Sequence, residues 1–209
     1  MEGQRVAVFD VDGTLLHGDS LRLAARRSKG FAGQLLAGLE CLPWLLGWQL
    51  RLLSTGRLKE KVIAAFGICD AVNRANAEGH ADWLLGEMRG QLRLEALQRL
   101  RWHQQRGDRV LLCSASPRLL LQPLADWLGV DLLCTELQSD NGLWRPVLAS
   151  PNCKGKEKVR RLQELLISLE SFALEVYGDS SGDKEMLLIA TFPHYRSFLE
   201  TSAPYPHQS

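Results

Sequence analysis

The stretch Arg5-Val-Ala-Val-Phe-Asp-Val-Asp-Gly-Thr14 decides how this chain is read. A short run rich in β-branched residues, Arg5 to Phe9, stops at two aspartates, Asp10 and Asp12, and a glycine turn, which is how a buried strand ends at the rim of a sheet. Two more segments repeat this pattern. Residues 109–113 run into Ser114-Ala-Ser-Pro, where Ser116 suits a helix N-cap and Pro117 the start of a helix over 118–128 that Gly129 stops. Residues 172–177 run into Gly178-Asp-Ser-Ser-Gly-Asp183, followed by a helix over 184–190. Residues 130–134 add a strand, and Asp140-Asn141-Gly142 reads as a hairpin turn between 136–138 and 143–147. Strands alternating with helices predict an α/β fold, a Rossmann-like parallel sheet core.

Residues 17–93 break the alternation. They have helical spacing throughout, with Pro43 and several glycines as breaks and no convincing strand, so they read as an α-helical cap domain inserted after the first strand. The expected division is a core of 1–16 and 94–209, a cap of 17–93, and a loose tail over 200–209. The insert carries eleven basic and seven acidic residues, a net +4, while the remainder is −3. Over all 209 residues, 25 basic side chains balance 24 acidic ones, which argues against binding nucleic acid by phosphate neutralisation. The apolar region 31–53 is interrupted by Glu40 and Arg51, leaving uncharged runs of 10 residues where a bilayer span needs about 20. Acidic residues at positions 2, 10 and 12 do not suit a secretory signal, so a cytoplasmic location is expected. The five cysteines (41, 69, 113, 134 and 153) are odd in number and contain no CxxC pair, which suits a reducing compartment and gives no sign of structural zinc.

In open α/β sheets ligands bind beyond the carboxyl ends of the strands, and here those ends carry Asp10, Asp12, Ser114, Asp179 and Asp183. Converging carboxylates repel unless a hard cation holds them, and Mg²⁺ with a substrate phosphate fits better than a calcium cage. An EF-hand reading fails, because the loop lacks its third acid and closing glutamate. A carboxylate can also attack phosphorus and divide one difficult displacement into two easier ones. Asp10 and Asp12, two apart on extended chain, point the same way, so one can attack while the other protonates the departing alcohol. Gly13 supplies the turn, and Thr14 can donate to phosphate.

DVDGT at 10–14, LLCSAS with Ser114, CKGKEKV at 153–159 and YGDSSGD with Asp179 and Asp183 resemble, in order and spacing, the four motifs of the haloacid dehalogenase-like hydrolase superfamily. The helical insert between the first two motifs resembles the phosphoserine phosphatase-like branch, over Arg5 to Phe198. The resemblance implies a Mg²⁺-dependent phosphomonoester hydrolase working through an aspartyl-phosphate. Asp10 would be the nucleophile and Asp12 the acid and base, its carbonyl a metal ligand. Ser114 would bind phosphate, and Asp179 and Asp183 would hold the metal with Asp10. A lysine stabilises charge in that family. Lys154, Lys156 and Lys158 compete for the role, and the resemblance favours Lys158, because the family lysine sits at a helix start and Val159, Leu162, Leu165, Leu166 and Leu169 begin an amphipathic helix just after it. Asp12 separates the chain from dehalogenases, which lack an acid there, and from P-type ATPases, which have threonine.

The expected partner is a small-molecule or lipid phosphate monoester, with no nucleic acid and no obligatory protein partner. The choice rests on the insert, whose Trp44 and Trp48 share a helix face amid nine leucines between 35 and 53. Internal packing of these side chains is the expected outcome and favours a soluble substrate such as phosphoserine. Asp19 then stands where phosphoserine phosphatases have a glutamate that helps recognise the amino acid, and Arg57 is the candidate for its carboxylate. If the face is exposed, the chain looks more like the phosphatidylglycerophosphate phosphatases, whose segment resembles CKGKEKV, and peripheral membrane contact through the cap is implied. A catalytically silent binding protein is the remaining alternative, opposed by the presence of every expected catalytic residue type. His17, His80, His103 and His194 lie without ligand spacing and are assigned surface or core roles.

Overall fold

Strand β1 (Arg5–Phe9) forms the middle of a five-stranded, all-parallel sheet in this computed structural model, which describes residues 5–166 and 171–198. The sheet order is β3 (Asp131–Thr135), β2 (Arg109–Pro117), β1, β6 (Ala173–Gly178), β7 (Phe192–Tyr195). Val6, Ala7, Val8 and Phe9 are fully buried because helices cover both faces of the sheet. Alternation along the strand sends Ala7 and Phe9 into one hydrophobic cluster and Val6 and Val8 into another on the opposite face.

The structure corrects several boundaries. Strand β2 continues past Ser114 to Pro117 with a register shift between those two residues, and helix α7 (Arg118–Leu128) has Pro117 rather than Ser116 at its N-cap. Ser116 instead turns its hydroxyl towards Asp12. The last helix, α9, is shorter than expected, Lys184–Leu188. Strand β7 has no counterpart in the sequence reading. It is a short sheet-edge strand containing Pro193, with three of its four residues exposed, so it lacks the apolar signature of its neighbours.

Five helices lie between β1 and α6 (Leu94–Gln105): α1 (Ser20–Ser28), α2 (Phe31–Gln49), α3 (Thr55–Ala65), α4 (Ile68–Ala77) and α5 (Leu85–Gly90). The two chain crossings into this insert pair side by side, His17 N–H to the Gln91 carbonyl (2.8 Å) and Arg93 N–H to the Leu15 carbonyl (2.9 Å). Insert residues Ala24, Ile63, Ile68, Val72 and Met88 share a cluster with Phe9 and Leu112 of the sheet. The hairpin of β4 (Leu137–Asp140) and β5 (Leu143–Leu148), turned at Asn141 and Gly142 with positive φ at both, grips the insert from the other side. There Leu148 N–H donates to Glu60 Oε1 (2.8 Å), and Asn73 pairs with both backbone groups of Trp144.

Helix α2 overturns the expectation of internal packing. Pro43 does not break it, and the Leu39 residue whose carbonyl loses its partner is exposed. The helix buries only Ala37 and Cys41, against Ala65, Val62 and Phe66. Small residues bring α2 close to α3, and no other described element covers the leucine-rich remainder. Among the described residues no helix is long and apolar enough to cross a membrane. The five cysteines are unpaired and buried. The tail at 200–209 and Leu169 of the amphipathic pattern lie outside the described residues.

Behind the sheet, buried Glu175 accepts from Tyr177 Oη (2.5 Å) and pairs with Arg5 (3.1 Å) and His194 (3.0 Å), while His103 links Asp108 (2.8 Å) to Tyr177 (3.1 Å). Burial raises the Glu175 carboxyl, but His194 and Tyr177 overcome it and hold the group down at about 2. A depressed carboxylate stabilises the fold above its unfolded value and loses that contribution as pH falls, here between about 4.5 and about 2. Glu175→Gln is expected to cost about 2 kcal/mol at neutral pH, and urea unfolding should show a shallower loss of stability below pH ~4.5 than in the parent protein.

Candidate active site

The carboxyl ends of β1, β2 and β6 meet the start of helix α8 (Lys156–Leu165), and the side chains gathered there are short or buried enough to be held firmly. Asp10 is buried, with its N–H bonded to the Tyr177 carbonyl (2.9 Å) across the parallel ladder. Lys158, also buried, spends its ammonium on Asp10 Oδ1, Asp183 Oδ1 and the Cys113 carbonyl, each at 2.6 Å. Of the three competing lysines, Lys158 is the buried one that reaches Asp10, while Lys154 is exposed at the rim of the same cavity and Lys156 is exposed. The helix begins after Gly155, whose φ of 62° turns the chain so that Lys158 points inward.

Asp183 uses its other oxygen to accept from Ser180 N–H (3.0 Å), Ser180 Oγ (2.8 Å) and Asp179 N–H (3.3 Å), which folds the GDSSGD loop around it. Thr14 donates to Asp179 Oδ1 (3.0 Å). Its hydroxyl here orients a carboxylate of the site. Gly13 has to be glycine here: φ is +87°, and a Cβ would sit 2.5 Å from Asp179 Oδ2.

Asp10, Asp179 and Asp183 each offer an oxygen, and these lie within 4.8 Å of one another. Three carboxylates and one ammonium leave a formal charge of −2 on hard oxygen donors, a set that fits a divalent cation. The electrostatics reflect the crowding. Burial, reinforced by Asp183 and Asp12, pushes Asp10 up to about 8 against the pull of Lys158. Burial also acts on Asp183, but Lys158 and Ser180 outweigh it and keep that carboxyl below its ordinary value. Asp179 is raised by burial, with Thr14 opposing. For Lys158 burial works against the charge, and Asp10, Cys113 and Asp183 more than restore it.

Asp12 stands apart from this group. Its Oδ1 accepts from Ser20 N–H (2.7 Å) and its Oδ2 from Ser116 Oγ, and Ser20 Oγ in turn reaches Ser116 Oγ (2.8 Å). Its carboxylate is thus turned away from the other three, and the expectation for the metal concerned only its carbonyl. Burial first, then Asp19, raises the Asp12 carboxyl, opposed by hydrogen bonds from Ser116 and Ser20. Ser114 Oγ accepts from Ser116 N–H (3.0 Å), so its proton remains to be donated.

Asp10, Asp12, Ser114, Ser116, Lys158 and Asp183 line a cavity of about 290 Å³ together with Asp19, Lys59, Asn152 and Lys154. Asp19 is at the rim, but its Oδ1 caps helix α1 through Arg22 N–H (2.8 Å). Arg57 is not brought in: it faces Glu60 (3.0 Å) and lines a neighbouring groove. A wider groove of about 740 Å³ on the insert is lined by exposed Arg27, Arg74 and Glu78 and lies away from the carboxylates.

Lys59, Ser20 and Asn152 were not singled out from the sequence, and Ser116 was read there only as a helix N-cap. Lys59 reaches from α3 to the Ala115 carbonyl and Asn152 Oδ1, and burial lowers its ammonium to about 8 although Asp12 and Asp19 pull it upward. In the sequence it is one of several cations on a polar helix face. Ser116 stands two residues after Ser114 at the end of β2, and its N–H bonds to the Ser114 hydroxyl.

Removing Lys158 should expose the repulsion it masks. Lys158→Met is expected to cost about 3–5 kcal/mol in urea unfolding, and adding Asp183→Asn to that variant should recover about 1 kcal/mol or more rather than add a further loss. Strict additivity would contradict the bridge.

The sequence profile of the haloacid dehalogenase-like hydrolases matches residues 7–188. Protein CicA of Caulobacter vibrioides (strain NA1000 / CB15N) is 33% identical over 197 residues, covering 92% of this chain and 86% of its own. A protein of unknown function from Bordetella pertussis Tohama I has a similar structure, with a TM-score of 0.75, 22% identity, and coverage of 91% of this chain and 89% of that one. A substrate-bound phosphoserine phosphatase aligns with a TM-score of 0.57 at 16% identity, over 93% of this chain and 87% of its own. A phospho-aspartyl intermediate analogue of phosphoserine phosphatase gives 0.55 at 17%, over 91% and 85%. With the profile matched over most of its length, the chain belongs to the haloacid dehalogenase-like hydrolase family.

Proposed function

We propose that the protein is a Mg²⁺-dependent phosphomonoester hydrolase that works through a phosphorylated Asp10, with residues 17–93 acting as a cap over a core of 1–16 and 94–209. The observation that carries this reading is Lys158, which ties Asp10 to Asp183 while Asp12 is held separately by Ser20 and Ser116. One buried cation thus positions a nucleophile, and a second carboxylate stands two residues away with its own support. A silent binding protein would have no need of both.

An Asp10 oxygen attacks phosphorus as the ester P–O bond breaks, and the leaving oxygen takes a proton from Asp12, whose raised affinity for protons suits an acid. Water then attacks phosphorus, giving a proton back to Asp12 and releasing inorganic phosphate from Asp10. Ser114 donates its hydroxyl to the phosphoryl group, and Lys158 keeps the nucleophile oriented. Asp10, Asp179, Asp183 and the Asp12 carbonyl would hold Mg²⁺, which when bound would supply positive charge to neutralise phosphoryl oxygens. Lys59 brings a cation from the cap to the pocket wall, where it can meet the substrate's charge.

Of the two recognition groups of the phosphoserine reading, Asp19 lines the pocket while one of its oxygens caps helix α1, and Arg57 turns to Glu60. Exposure of the leucine-rich face favours the lipid phosphate alternative.

Release of p-nitrophenol from p-nitrophenyl phosphate should require Mg²⁺ and stop with EDTA. Asp10→Asn should fall to background, and Asp12→Asn should lose about 10²–10⁴-fold in kcat. Activity surviving in Asp10→Asn would remove the nucleophile. Lys59→Met is expected to raise KM several-fold with a smaller change in kcat, as for a residue that binds substrate and transition state alike.

A further inference from the structure

Over its 19 residues helix α2 carries one charge, Glu40, and it buries only Ala37 and Cys41. Phe31, Leu35, Leu36, Leu39, Leu42 and Leu46 are each at least half exposed, and Trp44 and Trp48 are 37% and 42% exposed. A helix apolar on nearly every side is ordinarily buried in protein or lipid, and a patch of this extent on a soluble surface marks a contact. Its surroundings are basic. Residues 26–61 contain seven Lys and Arg against Glu40 and Glu60, a net +5 in a chain whose total is +1. The chain at Arg26 and Lys29 is tied to the start of α2 by Gln34, Arg51 follows its end, and Lys61 sits over the Trp44 ring at 4.5 Å.

We infer that α2 docks on an anionic lipid bilayer and lies in its interface, and that the cap thereby presents a phosphate monoester carried by a lipid to the Asp10 pocket. Charge selects the occupant. A second copy meeting this face in a two-fold contact would set one +5 region against another, whereas an anionic bilayer complements both the leucines and the cations. Tryptophans suit the boundary, with an apolar ring and a polar edge. The helix is too short in apolar run to span, so it lies on the surface. It also adjoins the catalytic cavity: Trp48 Nε1 donates to Thr55 Oγ1 (3.3 Å), and Thr55 lines the cavity with Lys59 and Asp10. A lipid whose chains remain beside α2 has its headgroup near that wall.

The substrate part of this inference rests on the phosphatase reading, while the docking part does not. Flotation with vesicles of phosphatidylcholine alone and of phosphatidylcholine mixed with phosphatidylglycerol separates them. The full-length protein should float with the anionic vesicles and far less with the neutral ones. Asp10→Asn should bind as the parent does. Leu39→Asp/Leu46→Asp, at two exposed positions, should keep its melting temperature and its activity on p-nitrophenyl phosphate. It should lose about tenfold or more in anionic vesicle binding and in hydrolysis of phosphatidic acid within those vesicles. Equal flotation of parent and double variant would overturn the docking, as would a parent that stays unbound and elutes as a dimer the variant cannot form. Vesicle binding with p-nitrophenyl phosphate hydrolysed but phosphatidic acid untouched would overturn the substrate part alone, and vesicle binding without hydrolysis of either phosphate would overturn the phosphatase reading on which it rests.

Discussion

The site depends on how a single ammonium is shared. Three carboxylates packed at the ends of β1 and β6 repel one another, and Lys158 reduces that repulsion by bridging Asp10 and Asp183 while anchoring to the Cys113 carbonyl of β2. Burial makes every one of these contacts stronger and makes the loss of any one costly. The rest of the local architecture holds this arrangement in place: Gly155 aims α8 inward, Ser180 and the Asp179 N–H satisfy the second oxygen of Asp183, and Thr14 turns Asp179 towards the group. With all three carboxylates ionised, two negative charges remain unbalanced, and they match the charge of the ion that the proposed chemistry needs.

The insert is bound to this centre by more than proximity. Its helices share a hydrophobic cluster with the sheet, the hairpin clasps Glu60 and Asn73, and Ser20 at the first turn of α1 holds the Asp12 carboxylate. Opening the insert would therefore take the Ser20 N–H from Asp12 and Lys59 from the pocket wall together, leaving Ser116 on Asp12. Helix α2 contributes little to that cohesion. It touches the body through small residues and leaves its large ones outside, as a surface that serves a partner would.

Much of this was legible in the residues. The strand-to-acid transitions at Phe9–Asp10 and Tyr177–Asp179 placed the sheet and its rim, because buried parallel strands are apolar runs and a strand end is where polar side chains can gather. Lys158 emerged from three lysines because an amphipathic helix begins beside it. The signal failed where a residue's role depends on packing. Lys59 is an unremarkable cation until α3 is docked, Thr14 is a donor whose target only the fold decides, and β7 is too short and too exposed to have a period. The leucines of α2 read as core in one dimension, since apolar content says that a surface will be covered but not whether protein or lipid covers it.

The central claim is that phosphate becomes bonded to Asp10 during turnover. Acid quench of a single turnover, followed by peptide mass mapping, tests it directly. The account predicts a phosphorylated peptide containing Asp10 that appears and decays with phosphate release and is absent from Asp10→Asn. Phosphate released at the full rate with that peptide unmodified throughout would contradict it.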